Sequence, residues 1–314
     1  MSFKDLLRWS VRTGVAVSAK QWQRSTRDNR NVELVLNSLL VSPGLTSLHF
    51  PVQFVELVRG CIEDGYSPHS LRELKVESQT ADLAGKRFAT LKDQLLRGLP
   101  PVELSVASEV ALVADRSRSL SDSLEIRNWA GDMGIHFDMS SSFARKGRIL
   151  YNIVRFMRSG RCLELGTAYG MSALFILGAL KKYSTSGSLA TVEGWDKLAA
   201  VSGPMLKHHH ADRVSCHIGQ AKTVVPELAK SLGKIDFVFH DCGHSRSEYI
   251  NDFESIVNNL APGAVVLFDD IRWEDSHFSD EHPDTYGGWT AVVSSPRVRQ
   301  AIEIDDLLGL LLLT

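Results

Sequence analysis

The sequence lacks long apolar runs and has few cysteines. Its longest apolar stretches are Ala173–Leu180 and Leu307–Leu313. A membrane-spanning helix needs about 20 apolar residues, so we expect no membrane span. The first 30 residues also lack the apolar core of a signal peptide. No Cys-x-x-Cys pair occurs among the four cysteines, which predicts reduced thiols in a cytoplasmic protein.

Neither sign of charge is in excess. Lysine and arginine together number 35 and aspartate and glutamate 37, which gives a formal net charge of -2. Nucleic-acid-binding domains generally carry a basic excess, so we expect no nucleic-acid partner. With 44% hydrophobic and 23% charged residues, the composition is typical of a globular protein.

The sequence pattern changes near residue 145. Residues 1–144 contain segments with helix-like apolar spacing, at Val32–Leu40, Val52–Ile62 and Leu71–Leu83, and no strand-rich stretch. We predict a helical N-terminal region over residues 1–144 that forms a lid, a substrate-binding element or the contact of a homodimer. Residues 145–314 are predicted to form a second domain.

Short apolar runs alternate with amphipathic stretches in this second domain, which is typical of parallel βαβ units. The strand candidates are Arg161–Leu165, Ser188–Glu193, Val214–Ile218, Ile235–His240 and Ala264–Phe268, with helix candidates at 171–182, 196–207, 220–231 and 245–260. Two further runs, Val298–Ile304 and Leu307–Leu313, predict an antiparallel hairpin. The predicted fold class is therefore α/β, with a doubly wound, Rossmann-like sheet of seven mostly parallel strands.

A glycine-rich turn, Glu164-Leu-Gly-Thr-Ala-Tyr-Gly170, follows the first of these strands. Ligands of open parallel sheets bind at the carboxyl ends of strands, and Gly166 and Gly170 allow the backbone to come close to one. Thr167 lies within the turn, and Ser172 with the first N–H groups of the next helix could hold polar ligand atoms. The turn alone could also bind a dinucleotide or be a tight connection that binds nothing.

Acidic residues near the turn indicate the kind of ligand. Glu193 ends the second strand, before Gly194-Trp195, where a carboxylate can accept hydrogen bonds from both ribose hydroxyls of a nucleoside. Gln220-Ala221 follows the third strand, where an adenine edge would lie. Glu164 would repel a pyrophosphate and suits a cationic ligand that carries an amino group and a sulfonium.

These motifs resemble those of the class I S-adenosylmethionine (SAM)-dependent methyltransferases. Leu163-Glu-Leu-Gly-Thr-Ala-Tyr-Gly-Met-Ser-Ala173 is similar to their first motif, and Val192-Glu193 is similar to their ribose-binding acid. The resemblance extends from about residue 145 to the C-terminus, and Leu48–Phe54 more loosely resembles the leader of an uncharacterised bacterial group. It implies SAM as cofactor, with Asp241 among the residues that contact it.

Three aspartates follow two neighbouring strands of the predicted sheet. Asp241 follows Ile235–His240, and Asp269 and Asp270 follow Ala264–Phe268. Adjacent strands lie about 4.8 Å apart, so we expect the three carboxylates to converge, which is unfavourable without a cation or a shared proton. A hard divalent ion such as Mg²⁺ is the simplest solution, although each aspartate alone could instead cap a helix or lie in a solvated loop.

The aspartates are similar to the metal site of the catechol-type O-methyltransferases. The first metal-binding aspartate of that family matches Asp241, and its Asp-Asn pair matches Asp269-Asp270, where Asp270 is a departure. His244 takes the place of the family's lysine base, as in a bacterial group with an Asp-x-Gly-His motif, and an imidazole is suited to accept a proton. The resemblance implies O-methylation of a small-molecule phenol or vicinal diol, with His244 and Asp241 as catalytic residues.

Three aromatic residues flank a polar insertion after the fifth strand. Trp273, Tyr286 and Trp289 are candidates for lining the acceptor pocket, with ordinary packing as the alternative. Three other functions stay open: a metal-independent N- or C-methyltransferase with His244 as base, a SAM-binding scaffold without turnover, and a metal-dependent hydroxylase or hydrolase that needs no SAM. The response to a chelator and a test on many acceptors would separate them.

Overall fold

The computed structural model describes residues 52–62, 66–76, 82–123, 141–272 and 284–314. The helix predicted at Val32–Leu40 and the pocket candidate Trp273 lie outside the described residues. Within the described residues, every helix is too short or too polar to cross a membrane.

Within the described residues, four helices and one strand precede the parallel strands. They are α1 (Val52–Ile62), β1 (Leu71–Lys75), α2 (Leu83–Arg97), α3 (Leu104–Ser123) and α4 (Ser141–Met157). The helix predicted at Val52–Ile62 is confirmed. The helix predicted at Leu71–Leu83 is wrong, because its first five residues are extended and pair with a strand from the C-terminal end of the chain.

Strands and helices then alternate as the sequence pattern predicts. The elements are β2 (Arg161–Leu165), α5 (Met171–Tyr183), β3 (Ser188–Glu193), α6 (Asp196–His210), β4 (Val214–Ile218), α7 (Ala221–Leu232), β5 (Ile235–His240), α8 (Arg246–Ile256) and β6 (Leu260–Phe268). The chain ends with α9 (Thr285–Val293), β7 (Val298–Ile304) and β8 (Leu308–Leu313). The last two strands form the predicted antiparallel hairpin.

All eight strands form one sheet in the order β1-β7-β8-β6-β5-β2-β3-β4. The five strands β2 to β6 pair with one another in parallel. Strand β8 pairs with β6 in the antiparallel direction. The sequence predicts seven of these strands, and β1 is the additional one. It pairs antiparallel with β7, and Arg72 forms a salt bridge of 2.5 Å with Glu303, its partner in the ladder.

The helices before β2 share a hydrophobic core with the sheet. One cluster of buried residues joins Phe88 of α2 and Val110 of α3 to Phe175 of α5. Arg148 of α4 is fully buried and donates to the backbone carbonyl of Leu99, at the end of α2. The division at residue 144 and the homodimer stay predictions, but the described elements on both sides of residue 144 pack as neighbours.

Candidate active site

The carboxyl ends of three neighbouring strands place the glycine turn and the aspartates in one row. The succession of strands reverses between β2 and β5, which is the position where open α/β sheets bind ligands. Leu165 of β2 pairs with His240 of β5, which in turn pairs with Phe268 of β6. The residues that come next on the three strands are Gly166, Asp241 and Asp269.

Gly166 lies in direct contact with the backbone of Asp241. Its φ of +94° is in the left-handed region, and a Cβ at this position would lie 1.9 Å from the carbonyl oxygen of Asp241. The Asp241 N–H donates to the Leu165 carbonyl at 2.8 Å, and the Gly166 N–H donates to Val192 at 2.9 Å. Only glycine fits here, so the glycine turn and the Asp241 loop meet through main-chain atoms.

The turn ends at Gly170, which precedes α5 in a left-handed conformation with φ +82°. Its N–H donates to the Thr167 carbonyl at 2.7 Å, which closes the turn. Ser172 follows in the first turn of α5 and is only 7% exposed. The N–H groups at the start of a helix have no partners within the helix, so this turn can hold polar or anionic ligand atoms.

Glu164, on β2 below the turn, is fully buried. One carboxylate oxygen accepts a hydrogen bond of 2.5 Å from Thr191, whose hydroxyl also lies 2.5 Å from that of Thr167. The other oxygen, Oε1, has no hydrogen-bond partner within the described part of the chain. Burial outweighs the hydrogen bonds of Thr191 and Ser172 and raises the pKa of Glu164 to about 8, and a cationic ligand beside it would favour the charged carboxylate.

Glu193 ties the glycine turn to the end of β3. Its carboxylate accepts the N–H of Ala168 at 2.6 Å and that of Trp195 at 2.9 Å, and it is 5% exposed. Burial raises its pKa, although these backbone hydrogen bonds oppose the shift. Gln220 donates to the Gly194 carbonyl at 3.4 Å just before α7, which begins with Ala221. The residues predicted to contact a nucleoside therefore lie together.

Asp241, His244 and Asp270 form a second group beside the turn. One side-chain oxygen or nitrogen from each lies within 4.8 Å of the others. His244 Nε2 is 3.3 Å from Asp270 Oδ2, and Asp270 adopts a left-handed φ of +52°. Burial acts to raise the pKa of Asp270, but His244 and the charge of Lys146 outweigh it and hold that pKa below its ordinary value.

Asp269 does not belong to this group, although the sequence predicts it as a metal ligand. Its side chain is buried, and one oxygen accepts the N–H of Asp270 at 3.0 Å. The other oxygen pairs with the ammonium group of Lys146, and the Tyr249 hydroxyl donates to the Asp269 carbonyl at 2.5 Å. Both carboxylate oxygens therefore have partners within the protein.

Lys146 is a component of the site that sequence reasoning missed. Burial acts to lower its pKa, but the charges of Asp269, Asp241 and Asp270 outweigh burial and raise that pKa above its ordinary value. The ammonium group stays charged at physiological pH. Lys146 lies on the same helical face as Leu150, Ile153 and Met157, which are all buried. A single cationic residue in this apolar stripe was the sequence signal that could have identified Lys146 as part of the site.

The aromatic candidates have other partners. Trp289 is fully buried and donates to Glu303 at 2.9 Å, so the prediction that it lines an acceptor pocket is wrong: its indole is part of the core. Tyr286 accepts a hydrogen bond of 2.5 Å from Arg72, and the guanidinium of Arg272 lies 3.9 Å from its ring centroid. Tyr286 therefore lies between two arginines.

Comparison with known proteins agrees with this geometry. A family model described as a methyltransferase domain matches residues 163–271. A catechol O-methyltransferase of Niastella koreensis is 25% identical over 166 residues, which cover 52% of this chain and 68% of that protein. An uncharacterised protein of Sinorhizobium fredii is 29% identical over 157 residues, or 45% of this chain, and the match spans only 16% of that longer protein.

Two solved structures share the fold. An O-methyltransferase of Bacillus cereus in complex with S-adenosylhomocysteine (SAH) has a TM-score of 0.50 at 20% identity, over 72% of this chain and 96% of its own. An SAH-bound methyltransferase of Podospora anserina has a TM-score of 0.51 at 17% identity, over 77% of this chain and 100% of its own. Residues 163–271 of this chain therefore match a methyltransferase domain, and the chain shares the fold of the two SAH-bound enzymes.

Proposed function

We propose that the protein methylates a hydroxyl oxygen of a small-molecule phenol or vicinal diol, with assistance from a divalent metal ion. One observation carries this proposal: the group of Asp241, His244 and Asp270 adjoins the cofactor turn, because the backbone of Asp241 contacts Gly166. An acceptor at this group would lie next to a methyl donor at the turn.

The cofactor-binding role belongs to the turn and to two buried carboxylates. Glu193 is placed to accept hydrogen bonds from the ribose hydroxyls, and the segment around Gln220 to border the adenine. Glu164, with its unpartnered oxygen, is placed to bind the amino group of SAM. Gly166, Thr167, Gly170 and Ser172 supply the backbone approach and polar groups of the turn.

The side chains present fit a divalent ion. Asp241 and Asp270 offer carboxylate oxygens close enough to share one ion, and oxygen ligands are those that Mg²⁺ and Mn²⁺ prefer. When bound, such an ion lowers the pKa of a hydroxyl that it coordinates. Asp241 and Asp270 hold the ion in this proposal, and Asp270 also orients the ring of His244.

His244 is the proposed general base. Its imidazole takes the proton of the acceptor hydroxyl, while an electron pair of that oxygen attacks the methyl carbon of SAM. The bond between carbon and sulfur breaks, and sulfur keeps the electron pair, which leaves the neutral thioether SAH. The enzyme contributes mainly by placing the oxygen in line with that bond.

A metal-independent transfer to nitrogen or carbon is the second candidate. The observation in its favour is Lys146, whose ammonium group already supplies positive charge to the aspartates. His244 would again act as base. Full activity in the presence of a chelator would favour this candidate over metal-assisted O-methylation.

Transfer of a labelled methyl group from SAM to a panel of catechols and simple phenols tests the proposal. We expect methylation at oxygen that a chelator suppresses, and a loss of about a hundredfold or more in kcat for His244→Gln. His217→Gln is the matched control, because His217 lies on the edge strand β4 and contacts Ser215. Equal activity of the two variants would remove His244 from the mechanism, and SAM binding without transfer would favour a scaffold role.

A further inference from the structure

We propose that Lys146 is a resident cation of the acceptor site, which withdraws Asp269 from metal coordination and leaves Asp241 and Asp270 as the metal-binding carboxylates. This inference deepens the proposed function and rests on it for the identity of the site. It makes Lys146 a positioning residue, because the lysine acts through Asp269 and through charge.

The contacts of Asp269 support the first part of the proposal. One of its oxygens accepts the backbone N–H of Asp270, and the other pairs with Lys146. The carboxylate is fully buried, whereas Asp241 and Asp270 are partly exposed at the strand ends. A metal ion at Asp241 and Asp270 could gain Asp269 as a ligand only if Lys146 moved away.

The packing of α4 keeps Lys146 in place. A Cβ at the next residue, Gly147, would lie 2.1 Å from the ring of Phe175, so α4 lies very close to α5 at this point. Arg148 is fully buried and donates to Pro100 at 3.0 Å and also to Leu99. The helix turn that carries Lys146 is therefore fixed on both sides, so the backbone of Lys146 is held beside Asp269.

Charge supports the second part. Three carboxylates and one ammonium group leave the site less negative than three carboxylates alone, and a divalent ion is repelled by a neighbouring ammonium. Removal of the Lys146 charge would free an oxygen of Asp269 and remove this repulsion. Both effects increase metal affinity, so the proposal predicts that the native protein binds metal more weakly than a variant without the lysine.

Titration with Mn²⁺ alone, followed by electron paramagnetic resonance and calorimetry, tests this proposal without an activity assay. The samples are the full-length native chain, Lys146→Met, and the charge-neutral double variant Lys146→Met/Asp269→Asn. Lys182→Met is the matched control, because Lys182 pairs with Glu103 at the far end of α5. Titration with SAH confirms that each variant retains the cofactor site.

We expect Lys146→Met to bind Mn²⁺ about tenfold more tightly or better, and the control to match the native chain. The double variant should return to within about threefold of the native affinity, because it lacks both the lysine and the carboxylate that the lysine occupies. An unchanged affinity in Lys146→Met would overturn the proposal. So would a loss of about tenfold or more in the double variant, since that result makes Asp269 a native ligand.

The outcomes separate this proposal from the proposed function. If Lys146→Met does not fold because Asp269 is left buried without its partner, the double variant alone decides. An affinity within about threefold of the native chain then supports the proposal, and a loss of about tenfold or more overturns it. Mn²⁺ binding by Lys146→Met with none by the native chain would support the role of Lys146 and contradict metal-assisted transfer. Failure of methyl transfer to every hydroxyl acceptor would contradict the function and leave the metal titration valid.

Discussion

In the proposed function, Glu164 would couple cofactor binding to protonation. Its carboxyl group is fully buried, and its pKa lies at about 8 against an ordinary value of 4.5. Between these pH values Glu164 holds a proton in the folded protein but not in the unfolded chain, so its contribution to stability is greatest below about pH 4.5 and falls as the pH rises to 8. A ligand with an ammonium group would stabilise the charged carboxylate and release that proton.

Glu164→Gln should therefore separate stability from binding. The amide is uncharged at every pH and can still accept the Thr191 hydrogen bond, so the variant should be more stable than the native chain at pH 8.5 and similar to it at pH 5. Its SAM affinity should fall about tenfold or more, because a charge-assisted contact is lost. Urea unfolding at the two pH values and calorimetry with SAM measure both effects.

Glu227→Gln serves as control for this prediction. Glu227 is largely exposed on α7 and pairs with Lys230, so its replacement should change neither quantity. If Glu164→Gln lowered stability at pH 8.5 and left SAM affinity intact, Glu164 would be a structural carboxylate and not a cofactor ligand.

The sequence predicts which residues lie together at the carboxyl edge of the sheet when they end or follow a strand. Glu193 and Asp241 follow this rule, since the carboxyl ends of parallel strands share one edge of the sheet. Lys146 could not be predicted in this way, because its partner Asp269 lies 123 residues further along the chain and their contact depends on how α4 packs. Trp289 shows the opposite error, because the sequence predicts it near the acceptor and the structure buries it in the core.

The βα turn is the element on which the site depends most. Gly166→Ala places a Cβ against the Asp241 carbonyl and strains a left-handed backbone, so we expect a loss of about 3 kcal/mol or more in stability together with loss of SAM binding. Gly203→Ala is the matched control, because a Cβ at Gly203 in α6 meets no atom of another element within 4 Å. That change should alter stability by less than about 1 kcal/mol, because the gain of replacing a helical glycine is opposed by the contact of a Cβ with the following Pro204.

Chemical denaturation and SAH titration of the two alanine variants test this expectation. A Gly166→Ala protein that binds SAH with native affinity would show that the turn can open by rearrangement of the Asp241 loop. Loss of binding in Gly203→Ala as well would indicate that the cofactor site tolerates no change in the helices around it.

Helices and strands whose apolar residues repeat at a regular spacing could be predicted from the sequence, whereas β1 could not. The helix at Met171–Tyr183 and the hairpin of β7 and β8 carry clear apolar patterns. Leu71–Lys75 has no such pattern, because it lies at the sheet edge and only Leu71, Leu74 and Lys75 are partly buried. Its extended conformation comes from pairing with β7 and from the salt bridge between Arg72 and Glu303, which are long-range interactions.

At the scale of the whole molecule, the N-terminal helices belong to the hydrophobic core. A fragment that begins at residue 141 keeps α4 but lacks α1 to α3, whose buried residues Leu95 and Val110 pack in the same cluster as Phe175. We expect this fragment to lose cooperative unfolding and to aggregate, because its apolar surface would be open to water. Thermal unfolding and size-exclusion chromatography beside the full chain measure this. A monomeric fragment with the native midpoint would establish an independent domain at 145–314.

The contact between Gly166 and Asp241 also bears on how such an enzyme can evolve. In the proposed function, the donor side and the acceptor side of the reaction touch through the main-chain atoms of Gly166 and Asp241. In the proposed function, a replacement at His244 alters the acceptor side and leaves the glycine turn unchanged. New acceptor preferences should therefore arise by few mutations, whereas a change of donor would require a new turn.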